Sequence, residues 1–204
     1  MKRCVIFAAQ PVARELRSWC DGASLIIAAD AGYRSARALG VEPDLLLGDY
    51  DSAPPPQSGK TVRLPAEKDD TDTFYAARQA LAQGCDEVVI LGGLGGRLDH
   101  TLANLHTLVF LAQQGARAVL ADEKNEITVL LPGRHRLSAR PGWHCSLLPA
   151  GDAARGVTLE HLKYPLADAV LTNAWPVGVS NEFAGPEAVV EFRQGVLYWM
   201  LCKD

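Results

Sequence analysis

From Arg3 to about Leu131, short apolar runs alternate with amphipathic stretches, and that alternation predicts β-α units joined into a mainly parallel sheet. The runs that read as strands cover residues 4–8, 25–29, 45–48, 88–92 and 118–121. Between them, residues 12–19, 31–39, 71–83 and 98–114 repeat apolar side chains at helical spacing, and Gly40, Gly84 and Gly115 stand just past three of these helices as stop signals. After Leu131 the pattern changes. Pro132-Gly133, Pro141-Gly142, Pro149-Ala150-Gly151 and Pro176-Val177-Gly178 punctuate short alternating segments without helical period, which predicts a second, all-β domain. Its expected strands are 126–131, 143–148, 169–172, 188–192 and 196–202, so the division falls between 1–125 and 126–204. Pro54-Pro55-Pro56 reads as a stiff surface linker within the first domain.

Composition narrows the picture. The 204 residues are 48% hydrophobic and 22% charged with a net charge of -4, ordinary for a globular enzyme and without the basic footprint that nucleic-acid binding needs. Five cysteines stand singly, with no paired spacing, as expected for free thiols in a reducing cytosol. The apolar stretch after Met1-Lys2-Arg3 is too short for a signal peptide and reads as the first strand. Residues 101–116 include Asn104, His106, Gln113 and Gln114, so no run is expected to span a membrane, and a cytoplasmic protein is expected.

In an open α/β sheet, ligands bind at the carboxyl ends of the strands, where helix N-termini and loop amides converge. Four of the five expected strands end in a polar or glycine-rich signal. These are Asp30; Gly48-Asp49-Tyr50-Asp51-Ser52; Gly92-Gly93-Leu94-Gly95-Gly96-Arg97-Leu98-Asp99-His100; and Asp122-Glu123-Lys124-Asn125. A further cluster, Lys68-Asp69-Asp70-Thr71-Asp72, opens a helix. Asp49 and Asp51 alternate on an extended backbone, so both carboxylates face one side and suit a hard cation such as Mg2+. Each acid also has a structural reading: Asp30 as the cap of the helix at Ala31, Asp70 or Thr71 as the cap of the next, and Asp69 with Asp72 as charges complementing a helix dipole. The glycines from Gly92 to Gly96 let backbone amides approach a phosphate, and Arg97 adds a forked cation. This turn is neither a Walker A loop nor G-x-G-x-x-G. His100 and Asn104 share a helix face, opposite Leu98, Leu102 and Leu105, that points into the same cleft. His106, His135, His144 and His161 show no ligand spacing, and no nucleophilic serine or cysteine signature is present.

Taken in order, Asp30-Ala31-Gly32, the Asp49/Asp51 segment, the Lys68–Asp72 cluster, Gly95-Gly96-Arg97-Leu98-Asp99-His100 and Asp122-Glu123-Lys124-Asn125 resemble the thiamine pyrophosphokinase family over nearly the whole chain. Gly178-Val179-Ser180-Asn181-Glu182-Phe183 resembles that family's substrate-domain signature. The resemblance implies an α/β catalytic domain with a mainly parallel, Rossmann-like sheet, then a β-sandwich that binds thiamine, in a homodimer whose sites lie where the domains meet across subunits. It implies diphosphate transfer from ATP to thiamine, with Mg2+ held by Asp49, Asp51 and Asp72. The implied ATP set is Asp30, Lys68, Asp69, Gly92, Gly95, Gly96, Arg97, His100, Asn104, Asp122 and Asn125. Asp99, Ser180 and Asn181 meet thiamine, and Asp99 is the first candidate to orient or deprotonate its alcohol. Two positions depart from the pattern: Ala31 where many members have glycine, and Arg34 near a common asparagine. Tyr164, Trp175 and Phe183 are all candidates to stack on the cationic ring, with core packing an equal reading for Trp175. Rival readings are a pyrophosphokinase for another alcohol such as a hydroxymethyl pterin, a metal-dependent phosphohydrolase, and a non-catalytic nucleotide sensor.

Overall fold

Six short strands form one parallel sheet: β1 (Arg3–Phe7), β2 (Leu25–Ala29), β3 (Leu45–Gly48), β4 (Lys60–Arg63), β5 (Glu87–Leu91) and β6 (Arg117–Ala121). Their order is β4-β3-β2-β1-β5-β6, with every pair in parallel register. The computed structural model describes residues 1–48, 60–63 and 70–204. The expected proline linker, Asp49, Asp51, Lys68 and Asp69 lie outside the described residues. The chain divides into two units, Met1–Glu123 and Lys124–Asp204.

In the first unit the central strands are buried on both faces, which is why their sequences are nearly continuous runs of Val, Ile and Leu. Val5, Phe7, Val89 and Leu91 share a core with Leu16 and with Ala36 of helix α1 (Gly32–Ala38), while the alternate Cys4, Ile6, Val88 and Ile90 are equally buried. Helices α2 (Asp72–Ala82) and α3 (Leu98–Gln113) pack through Phe74 and Phe110, whose ring centroids are 4.8 Å apart. The segment expected as a helix over 12–19 is instead a 3-10 turn at Arg14–Cys20. Strand β4 was not expected. Its Lys-Thr-Val-Arg sequence has no apolar run because it lies at the edge of the sheet.

The second unit contains β7 (Asn125–Leu130), β8 (Gly133–Ser138), β9 (His144–Pro149), β10 (Ala153–Glu160), β11 (Leu166–Thr172), β12 (Glu187–Phe192) and β13 (Leu197–Cys202). Antiparallel β13 lies between β7 and β9, and β10 and β12 lie between β11 and β8. Leu147, Val157, Val190, Phe192 and Trp199 meet in one apolar core. Strands β8 and β10 escaped the apolar pattern for separate reasons. β8 is held by cross-strand charge, Arg134 pairing with Glu191 at 2.6 Å and Arg136 with Glu187. β10 shifts register around Gly156.

Candidate active site

Strand order steps outward from β1 through β2, β3 and β4, then returns to place β5 on the other side of β1. The loops leaving β1 and β5 therefore diverge and leave a crevice at the carboxyl end of the sheet. A cavity of about 250 Å3 occupies that place, with Ala8, Ala9 and Gln10 after β1 on one wall and Gly92 and Gly93 after β5 on another. Asp30 adds a carboxylate from the end of β2, and Thr73 comes from the first turn of α2. Arg97, His100 and Asn104 enter from α3 and the residue before it.

The glycine turn is tied down at both ends. Gln10 N donates to Gly92 O at 2.9 Å, the buried Asn104 amide donates to Gly93 O at 2.7 Å, and Thr101 Oγ1 donates to Gly95 O at 3.2 Å. Asn104 is thus spent on shaping the turn, while its neighbour His100 faces the cavity. Leu98 and Leu102, expected to face away from the cleft, are exposed, and α3 buries Leu108 and Leu111 instead. Gly92 and Gly96 both have positive φ, and a Cβ on either would stand 2.4 Å from an atom of Gln10, so both glycines are needed for Gln10 to come this close.

Asp30 is not the cap of α1. The capping position is Ala31, without a side-chain bond, and Asp30 sits at φ 50 with its N–H donating to Leu47 O at 2.7 Å. Thr71 does cap α2, its Oγ1 accepting from Phe74 N at 3.1 Å, and Asp72 follows in the first turn. At the start of α3 the Arg97 guanidinium is bidentate on Asp99, at 3.1 and 2.6 Å, and His100 N donates to the same carboxylate at 2.9 Å. Arg97 holds the Asp99 carboxyl below the usual carboxylate range, and Asp99 in turn raises the guanidinium. The N-cap residue Arg97 makes no side-chain capping bond, and with the His100 N–H taken by Asp99 the partial positive charge at the start of α3 lies beside Arg97.

Of the expected ATP set, the cavity gathers Asp30, Gly92, Gly95, Arg97, His100 and Asn104. Gly96, Asp72 and Asp99 are sequence neighbours of its lining, whereas Asp122 follows β6 and Asn125 opens β7, neither lining it. Gln10 and Thr73 were not expected. The signal for Gln10 was present, since it is a polar residue just past an apolar strand, as Asp30 is. Among the described residues no three His, Cys, Asp or Glu gather around a point. Asp72 is the member of the Mg2+ set that is described, and the three carboxylates are the hard oxygen donors that this ion prefers. Thiol chemistry is disfavoured, because burial pushes the Cys4 thiol well up and that of Cys145 up to about 11.

In the second unit Ser180 is exposed at φ 57 with its N–H donating to Ser146 Oγ at 3.0 Å. Asn181 is only 5% exposed. Its Oδ1 accepts from Tyr164 N and Glu182 N, and its Nδ2 donates to Tyr164 O, so its amide shapes the loop that carries Tyr164. Trp175 is 72% exposed, which removes the core-packing reading, whereas Phe183 is partly buried edge-on to Trp199 at 6.0 Å. Lys163, paired with Glu182 at 2.8 Å, lies over the exposed Tyr164 ring.

Residues 16–120 match the family model for the thiamin pyrophosphokinase catalytic domain, and residues 134–197 match that for the thiamin pyrophosphokinase vitamin B1 binding domain. A thiamine pyrophosphokinase of Bacillus subtilis is 28% identical over 93% of this chain and 92% of its own length. Thiamine pyrophosphokinase 2 of Arabidopsis thaliana is 30% identical over 79% of this chain and 66% of its own. A crystal structure of the Bacillus subtilis thiamine pyrophosphokinase superposes with a TM-score of 0.90 at 26% identity, covering 100% of each chain.

Proposed function

The chain belongs to the thiamine pyrophosphokinase family, and from that premise we infer that the cleft at the end of β1 and β5 is its nucleotide site. The reaction is transfer of a diphosphate from ATP to the hydroxyethyl group of thiamine, giving thiamine diphosphate and AMP. The family match gives no support to a pterin pyrophosphokinase or to a phosphohydrolase.

One observation carries the site assignment: a glycine turn, an arginine and the first turn of α3 converge on the crevice where the strand order reverses. In this reading the first unit is a Rossmann-like catalytic domain over 1–125 and the second a β-sandwich over 126–204 that binds thiamine. The enzyme works as a cytoplasmic homodimer with its site at the subunit interface.

Transfer of a phosphoryl-type group is catalysed mainly by alignment and charge compensation. The turn amides and Arg97 hold the polyphosphate of ATP, with Asp30, Lys68, Asp69, His100, Asp122 and Asn125 around the nucleotide and Asn104 fixing the turn. Asp49, Asp51 and Asp72 hold Mg2+, which when bound neutralises charge on the phosphate oxygens. Asp99 orients the thiamine alcohol and accepts its proton as the oxygen attacks the β-phosphorus and AMP leaves. Ser180 lines the thiamine pocket, and Asn181 acts with it by setting the loop.

Incubating purified protein with Mg2+, ATP and thiamine and identifying products by mass spectrometry tests the reading. Thiamine diphosphate and AMP in equal amounts are expected; ATP consumed to inorganic phosphate with thiamine untouched overturns it. Light scattering tests the dimer.

A further inference from the structure

Gln10, like Thr73, is a cavity residue to which neither the motifs nor the family reading assigns a role. Its main chain is fixed from three directions: its N–H donates to Gly92 O at 2.9 Å, its carbonyl accepts from Ser35 Oγ at 3.3 Å, and Pro11 biases it away from helical backbone. Its side chain is different. The amide lies against Gly96, with Nε2 2.4 Å and Oε1 3.2 Å from where a Cβ would stand, yet it makes no hydrogen bond among the described residues. Every other polar group that shapes this turn is spent on it: the Asn104 amide on Gly93, the Thr101 hydroxyl on Gly95. A half-buried amide with both polar atoms unspent, on a held main chain and against Gly96, the residue before Arg97, lines the cavity where the turn amides would hold an anion.

We propose that the Gln10 side-chain amide donates a hydrogen bond from Nε2 to a non-bridging phosphate oxygen of ATP, making Gln10 a substrate-binding residue of the transfer reaction. This rests on the reading of the cleft as the ATP site. A neutral amide suits the role, since it gives one phosphate oxygen a directional N–H without setting a second positive charge against Arg97.

The test is calorimetric titration of Mg2+-ATP into the full chain, with steady-state kinetics and ligand-free melting alongside. Gln10→Ala should weaken Mg2+-ATP binding about ten-fold or more. Gln10→Glu, which keeps the size and sets a carboxylate against phosphate, should weaken it further. The thiamine KM and the ligand-free melting temperature should stay at the parent values in both. Parent-like ATP affinity in the two variants overturns the proposal. So does a loss of affinity that merely tracks a fall in ligand-free stability, since that marks Gln10 as a prop for the turn. A parent chain that neither binds Mg2+-ATP nor forms thiamine diphosphate overturns the underlying site reading instead.

Discussion

The two ends of the parallel sheet carry the same kinds of side chain and use them in opposite ways. At the amino end, Glu87 is 1% exposed between Arg3, at 2.5 Å, and Arg117, and Arg3 rests on the Trp19 ring. Asp86 accepts from Lys2 N at 2.6 Å and Asp44 from Ile26 N at 2.8 Å, so these carboxylates stitch neighbouring strands together. At the carboxyl end, Asp30 is exposed and Asp99 is 63% exposed against a single arginine that is itself mostly in solvent. Removing a carboxylate neutralised inside the fold, as Glu87 is, strands its partners and costs stability, whereas one exposed beside a crevice can be addressed by a ligand.

The sharpest way to break this contrast is to neutralise the proposed metal ligand Asp51, which follows β3 in the sequence, and separately Glu87 at the amino end. Asp51→Asn should lower kcat/KM by about three orders of magnitude, the several kcal/mol expected of a lost metal ligand, while the melting temperature stays near the parent's. A folded variant with turnover within a few-fold of the parent would sink the metal assignment. Glu87→Ala should do the reverse. Stripping the buried partner from two arginines costs about 3 kcal/mol of unfolding free energy, read as a lower urea midpoint, with kcat of the folded enzyme unchanged. A large loss of kcat without loss of stability would place Glu87 in the chemistry.

The same contrast explains what could be read before the fold was known. Buried parallel strands such as β2 and β3 are unbroken apolar runs, and the acids that follow them in sequence, Asp30 and Asp49, stand out against that background. β4 and β8 are held by edge position and by cross-strand charge, forces that leave no periodic trace. The division of labour inside the site was also invisible. Asn104 and Asn181 read as ligands in the sequence, and the structure adds that each buried amide also holds main chain, a role that depends on partners distant in the chain, Gly93 and Tyr164. Gln10 stands just past an apolar strand, as Asp30 does, but a lone glutamine before a proline belongs to no motif, and the approach of Gly96 is what gives it meaning.

A smaller effect sharpens the carboxyl end alone. The Asp99 carboxyl is held low chiefly by its hydrogen bond from Arg97. Because the folded value lies below the unfolded one, any stability from the pair is present above the ordinary carboxylate value near about 4 and fades as pH falls through the folded value. The pair is exposed, so rate is the better readout. If Asp99 accepts the alcohol proton, Arg97→Ala lets its carboxyl return upward, and the acid limb of the kcat/KM profile should move to higher pH, beyond the drop in absolute rate. An unmoved limb assigns that ionisation to another group.

The smallest expected change concerns the aromatic residues of the second unit, where the buried-versus-addressable contrast recurs without charge. Phe183 packs edge-on to Trp199 against the apolar core, so Phe183→Ala should cost about 2 to 3 kcal/mol of stability. Trp175 touches no such core and is 72% exposed, so Trp175→Ala should change unfolding free energy by less than about 0.5 kcal/mol. A ring left in solvent on a thiamine-binding domain is suited to stack on a thiazolium, an attraction of about 0.5 to 2 kcal/mol. Trp175→Ala should then raise the KM for thiamine by about three- to ten-fold while Trp175→Phe restores most of it, with the KM for ATP unchanged in both. Parent-like thiamine kinetics in Trp175→Ala would remove Trp175 from the thiamine pocket and make the exposed Tyr164, which carries the Lys163 ammonium 5.6 Å from its ring centroid, the next ring to test.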